Sequence, residues 1–173
     1  CPKGCMPKGR GFPGVVGGMQ QAHVTRIEAR PDIRLGIISP DGRDAMLQHA
    51  EQFKAAGIPF VSDSGEGLPM FNGDELKRFV DLADWVTVND YEGRMLNERT
   101  GWDNEQISRR VRGLIVTLGA EGCDVWTDGQ KTHVPAVAPT AVVDPTGCGD
   151  AWRGALLYGL EQGWPLERCA ALG

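Results

Sequence analysis

The chain has 173 residues, of which 41% are hydrophobic and 24% charged, and a formal net charge of -5. That is a globular composition of single-domain size, and it excludes a disordered tail, a collagen-like fibre and a coiled coil. The apolar runs are a few residues each, too short to span a bilayer, and an acidic balance does not favour nucleic acid, which needs a basic face.

Residues 1–18 are rich in Gly and Pro and show no periodicity, which predicts an irregular segment distinct from the remaining chain, 19–173. Gly9 and Gly14 have the spacing of a phosphate loop. Val15 and Val16 stand where that loop requires Lys and Ser/Thr, so the match fails. From residue 33 the pattern is regular. Ile33–Ser39 reads as a buried strand, and 43–56 as a helix with Met46, Leu47, Ala50 and Phe53 on one stripe, ended by Gly57. Ile58–Val61 is the next strand, and 73–83 a helix with Leu76, Phe79, Val80 and Ala83 on one face. Asp84–Val88 is a third strand, followed by a helix over Tyr91–Arg99 closed by Gly101 and a short one over Asn104–Val111. Leu114–Leu118 is a fourth strand. Alternating strands and helices predict a parallel sheet flanked by helices, with ligands at the carboxyl ends of the strands, just after Val61, Val88 and Leu118.

After residue 119 the pattern changes. Cys123–Thr127, the turn Asp128-Gly129 and Lys131–Val134 read as an antiparallel hairpin. Ala141–Val143 is a short apolar run, a helix follows over about 149–161 with Trp152, Ala155, Leu156 and Leu160 on one face, and Pro165 starts a last helix.

The most informative segment is Asp144-Pro145-Thr146-Gly147-Cys148-Gly149-Asp150, where a Gly-rich turn enters a helix. Free N–H groups of a helix start carry partial positive charge and make an anion site. Asp150 in that first turn is either a helix-stabilising carboxylate or, beside an anion site, a general base for a hydroxyl proton. The dinucleotide fingerprint G-x-G-x-x-G is not met, since Trp152 takes the third Gly position.

D-x-T-G-x-G-D at the start of a Gly/Ala-rich helix resembles the signature of the PfkB (ribokinase-like) carbohydrate kinases, D-T-x-G-A-G-D, with Pro145 for Thr and Cys148 for Ala. Two further segments agree in order. Asn89-Asp90-Tyr91-Glu92 matches the family's N-x-x-E, and Thr117-Leu118-Gly119-Ala120-Glu121-Gly122 its nucleotide-contacting T-x-G-x-x-G. The segments Met19–His23, Gly65–Phe71 and Val88–Arg94 look like those of bacterial adenosine kinases and their sugar-kinase relatives.

The resemblance implies an α/β, Rossmann-like (ribokinase-like) fold with a mostly parallel sheet and a β-hairpin. It also implies that the family's N-terminal strands and lid are missing, which makes 19–173 a partial kinase domain. It implies ATP and Mg²⁺, with transfer of the γ-phosphoryl group to a hydroxyl of a sugar or nucleoside, adenosine favoured. Asp150 would be the base, Gly147, Cys148 and Gly149 the anion hole, and Thr117, Gly119 and Gly122 would line the nucleotide site. Asn89 and Glu92 would position Mg²⁺, directly or through water. The other reading of Asn89 and Glu92, a helix N-cap with its capping-box partner, stays open. So does a non-catalytic nucleotide-binding remnant, motivated by the missing lid and C-terminal helices. A second copy of the chain, in a homodimer, is the macromolecular partner left open.

The remaining residues give weaker signals. Cys1, Cys5, Cys123, Cys148 and Cys169 are odd in number and form no zinc pattern with His23, His49 and His133. Reduced thiols and the lack of an apolar core after Lys3 and Lys8 point to a cytoplasmic location. Trp126 and Trp152 read as packing residues. Asp63 after the second strand either faces phosphates or is a solvated turn residue.

Overall fold

The computed structural model describes residues 22–27, 32–138 and 146–173. The segment 1–18, Met19–Gln21, the apolar run Ala141–Val143 and the first two residues of the signature, Asp144 and Pro145, lie outside the described residues.

Four parallel strands, β1 (Gly36–Ile38), β2 (Phe60–Ser62), β3 (Trp85–Asn89) and β4 (Gly113–Thr117), are followed by β5 (Cys123–Thr127) and β6 (Gln130–Val134), both antiparallel. The sheet order is the chain order, β1 to β6. Between the parallel strands run α1 (Arg43–Ala56), α2 (Gly73–Leu82), α3 (Asp90–Thr100) and α4 (Asn104–Ser108). Parallel strands need crossovers, and crossovers keep one hand. A sheet that grows in one direction therefore places all its crossover helices on one face. That is where α1 to α4 lie, over a core that includes Met46, Phe60, Leu68, Phe71, Leu76, Phe79, Ile107 and Leu114. Fully burying each such side chain is worth about 1.5–3 kcal/mol. Aromatic pairs lock it: Phe53 stacks on Phe60 at 5.4 Å and Phe71 meets Phe79 edge-on at 5.0 Å.

The opposite face is covered by α5 (Cys148–Glu161) and α6 (Leu166–Leu172), over a smaller core of Ile115, Cys123, Val125, Leu156, Cys169 and Ala170. Trp152 packs at its edge and donates its indole N–H to the Ala170 carbonyl at 3.2 Å. Period-two alternation supplies both cores: Leu114 and Val116 of β4 face α1–α4, and Ile115 faces α5–α6.

The expected elements are present with shifted ends. The first strand is shorter than Ile33–Ser39, and the turn Asp128-Gly129 has both residues at positive φ, 50° and 80°, as a tight hairpin requires. A 3-10 turn, Gly65–Met70, sits where the sequence signalled no element and buries Leu68. No helix among the described residues is long and apolar enough to cross a membrane.

Candidate functional site

The carboxyl ends of β1 to β4 form one edge of the molecule, the usual ligand edge of such sheets. Register decides what points there. Thr87 and Asn89 pair with Ile115 and Thr117, and Ile115 lies in the α5–α6 core, so Asn89 and Thr117 are neighbours on the face that α5 covers. Thr117 Oγ1 makes only a long contact, 3.5 Å, to the Val88 carbonyl. A 3-10 turn, Gly119–Glu121, follows, and Gly122 returns the chain into β5, its carbonyl accepting from the Leu118 N–H at 2.8 Å.

Asn89 is also the N-cap of α3. Its Oδ1 accepts from the Glu92 N–H at 2.8 Å, and Glu92 Oε2 accepts from the Asn89 N–H at 2.9 Å, a reciprocal capping box. The capping alternative is thus realised. One oxygen of each residue is committed to the helix, which leaves Glu92 Oε1 as the acidic atom the cap does not use.

The amino end of α5 is built differently. Its N-cap is Gly147, at φ 78° and ψ 2°, and no side chain caps it. The left-handed backbone there suits Gly alone at low cost. The first helical bond runs from the Ala151 N–H to the Gly147 carbonyl, 2.9 Å. The amides of Cys148, Gly149 and Asp150 precede it and have no helix carbonyl to meet. Residues Gly147 to Asp150 are all exposed, with the Cys148 thiol free.

Asp150 has a side chain 88% exposed, and its Oδ1 accepts from Arg153 Nη1 at 3.3 Å. Arg153 reaches further. Its Nε and Nη2 both donate to Asp63, the latter at 3.3 Å, although the two residues are 90 positions apart. Asp63 is 1% exposed, so the solvated-turn reading is corrected: the carboxylate is buried against a guanidinium and a Ser39 side chain. Burial pushes the Asp63 carboxyl above its ordinary range, against the opposing pull of Arg153 and Ser39. Partial burial works against the Arg153 charge, yet the bonds and field of Asp63, with the fields of Asp150 and Glu92, more than offset it and raise its pKa.

Arg153 thus joins the end of β2 to the start of α5, within the field of Glu92 on α3. Sequence reasoning did not single it out. Its signal was available: an Arg three residues after the signature Asp on a helix, and an Asp directly after a strand. A groove lined by Ile33, Gly36, Ile37, Leu157 and Tyr158 lies at the far end of α5, away from these groups.

Among the described residues no three His, Cys, Asp or Glu form a metal-binding group. Mg²⁺ is usually held by one or two carboxylates together with phosphates and waters, and Glu92 Oε1 is a hard oxygen of that kind.

Comparison with known proteins places the chain among kinases. The model of the pfkB family carbohydrate kinases matches residues 20–173. A nucleoside kinase of Methanocaldococcus jannaschii is 31% identical over 121 residues, 69% of this chain and 40% of that protein. The structure of Burkholderia thailandensis nucleoside kinase in complex with inosine superposes with a TM-score of 0.85 at 43% identity, over 88% of this chain and 50% of that one; it is also known with ADP-inosine. The adenosine kinase of Schizosaccharomyces pombe is 26% identical over 153 residues, 79% of this chain and 44% of that protein. The chain spans half or less of each of these relatives. By its family match and by the ribokinase-like sheet it shares with them, it belongs to the pfkB family of carbohydrate kinases.

Proposed function

We propose that residues 19–173 carry the phosphoryl-transfer part of an ATP-dependent kinase acting on a nucleoside or sugar hydroxyl. The observation that carries this reading is the joining of the open amino end of α5 to the carboxyl edge of the sheet through Asp150, Arg153 and Asp63. A nucleoside acceptor is supported by the inosine-bound neighbour at 43% identity. The reading is broader than adenosine, since the adenosine kinase relative stands at 26%.

The chemistry follows from the groups present. The acceptor hydroxyl oxygen attacks the γ-phosphorus as the bond to the β,γ-bridging oxygen breaks, and ADP leaves. Asp150, exposed and held on one oxygen by Arg153, takes the hydroxyl proton on its other oxygen. The amides of the Gly147–Gly149 turn stabilise charge on the phosphoryl oxygens, aided by the α5 dipole. Thr117, Gly119 and Gly122 line the path of the nucleotide at the end of β4. Glu92, through its uncommitted oxygen and water, would hold Mg²⁺ beside the phosphates. Bound there, the ion neutralises phosphate charge.

A second reading, nucleotide binding without transfer, rests on the same turn. A coupled assay of ADP formation with inosine, adenosine and a sugar panel separates the two. Turnover by the chain supports the kinase reading. ADP binding with no turnover on any acceptor supports the second.

A further inference from the structure

We infer that Arg153 is a positioning residue for phosphoryl transfer: anchored on the buried Asp63 at the end of β2, it holds Asp150 and the open first turn of α5 in register with the sheet. This rests on the kinase reading above.

Three observations carry it. The anchor is bidentate: Nε and Nη2 of Arg153 both donate to Asp63, and a two-point guanidinium–carboxylate contact fixes direction as well as distance. The third nitrogen, Nη1, is then left facing Asp150, 3.3 Å from Oδ1. Finally, the turn is shaped to admit the guanidinium, since a Cβ on Gly149 would stand 2.8 Å from Arg153 Nη1. A larger residue at 149 would have to push that guanidinium nitrogen aside.

The anchor is a buried ion pair: Asp63 is 1% exposed and Arg153 donates to both of its carboxylate oxygens, so removing either partner leaves the other without its countercharge.

The test compares native chain, Asp150→Asn, Arg153→Ala, Arg153→Lys, Asp63→Asn and the Asp63→Asn/Arg153→Ala double variant. ADP formation is followed with ATP and inosine or ribose, binding with a fluorescent ADP, and folding by thermal melting. Arg153→Ala should lower kcat roughly 50-fold with the KM for ATP within about threefold, because the loss is in the transition state and not in uniform binding. Arg153→Lys should recover part of that loss. Asp63→Asn should lose turnover by a comparable factor when assayed well below the melting point of that variant. The double variant should be no slower than the slower single, as coupled groups are non-additive.

Several results overturn the inference. Arg153→Ala within twofold of native does so, as do a defect confined to KM, additive losses in the double variant, or Asp63→Asn turnover within twofold of native. If the native chain binds ADP without turning over, ADP with aluminium fluoride replaces the rate. Arg153→Ala should then weaken that complex and spare ADP, and equal weakening of both overturns the inference. Full turnover by Asp150→Asn, or a native chain with neither turnover nor ADP binding, instead sinks the kinase reading beneath it.

Discussion

The amino ends of α3 and α5 lie at the same edge of the sheet, yet they are finished in opposite ways. At α3, Asn89 and Glu92 satisfy each other's backbone N–H groups in a closed capping box. The same device closes α2 through Asn72 and Glu75, and α4 through Asp103 and Gln106. At α5, Gly147 offers no side chain, and three exposed amides follow it. A helix end that caps itself contributes stability and has little left for a ligand; one that does not is costlier to form and free to bind an anion. On the proposed reading the two ends would divide the work; Arg153 is bonded to Asp150 and in the field of Glu92.

The largest effect that would break this comparison is at Asp150. Asp150→Asn should lower turnover by about 10²–10⁴-fold, the usual weight of a general base, with fluorescent ADP binding within about threefold of native. Near-normal turnover would make the α5 end no more chemical than the α3 end. Next is Gly147→Ala, which forces a Cβ into the left-handed region. Urea unfolding should show a loss of about 1–2 kcal/mol, and ADP binding should weaken with it as the turn distorts.

The α3 end can be resolved into its two roles. Asn89→Ala should cost about 1 kcal/mol of stability by removing the cap. Glu92→Gln keeps a capping-box residue, so its stability should stay within about 0.5 kcal/mol of native. Any fall in turnover in that variant, which we expect to be roughly 10-fold, then belongs to the carboxylate charge toward Mg²⁺ and phosphates. An unchanged rate would leave Glu92 as a cap alone.

The smallest effect lies away from both ends, on the hairpin. Burial works to raise the Asp124 carboxyl, but hydrogen bonds from Lys131 at 2.7 Å and His133 at 2.9 Å outweigh it and lower the pKa. Its contribution to stability is present above the ordinary value of 3.8 and is lost as pH falls through the lower folded value. Melting temperature followed from pH 6 to pH 2 should drop less steeply in Asp124→Asn than in the native chain.

Much of this was legible in the sequence. The 3.6-residue stripe at Met46, Leu47, Ala50 and Phe53 and the αL glycines Gly57 and Gly101 are local signals, and α1 and α3 follow them closely. The chemistry of the α5 turn was also local, because a helix start, two glycines and an acid are adjacent in the chain. What was ambiguous locally stayed so. Asn89 and Glu92 suit a cap and a ligand equally, because both uses call for the same oxygens at the same spacing.

Only the tertiary structure decided what depends on distant parts of the chain meeting. The sheet order places α1–α4 on one face and reserves the other for α5 and α6. Strand register turns Asn89 and Thr117 toward α5. The pairing of Asp63 with Arg153 across 90 residues makes a buried anchor of a carboxylate that read either as facing phosphates or as a solvated turn residue. By itself the sequence determined which residues can do chemistry, since that depends on side-chain type and near neighbours. Which of them work together was decided by the fold, because burial and charge partners are properties of packing.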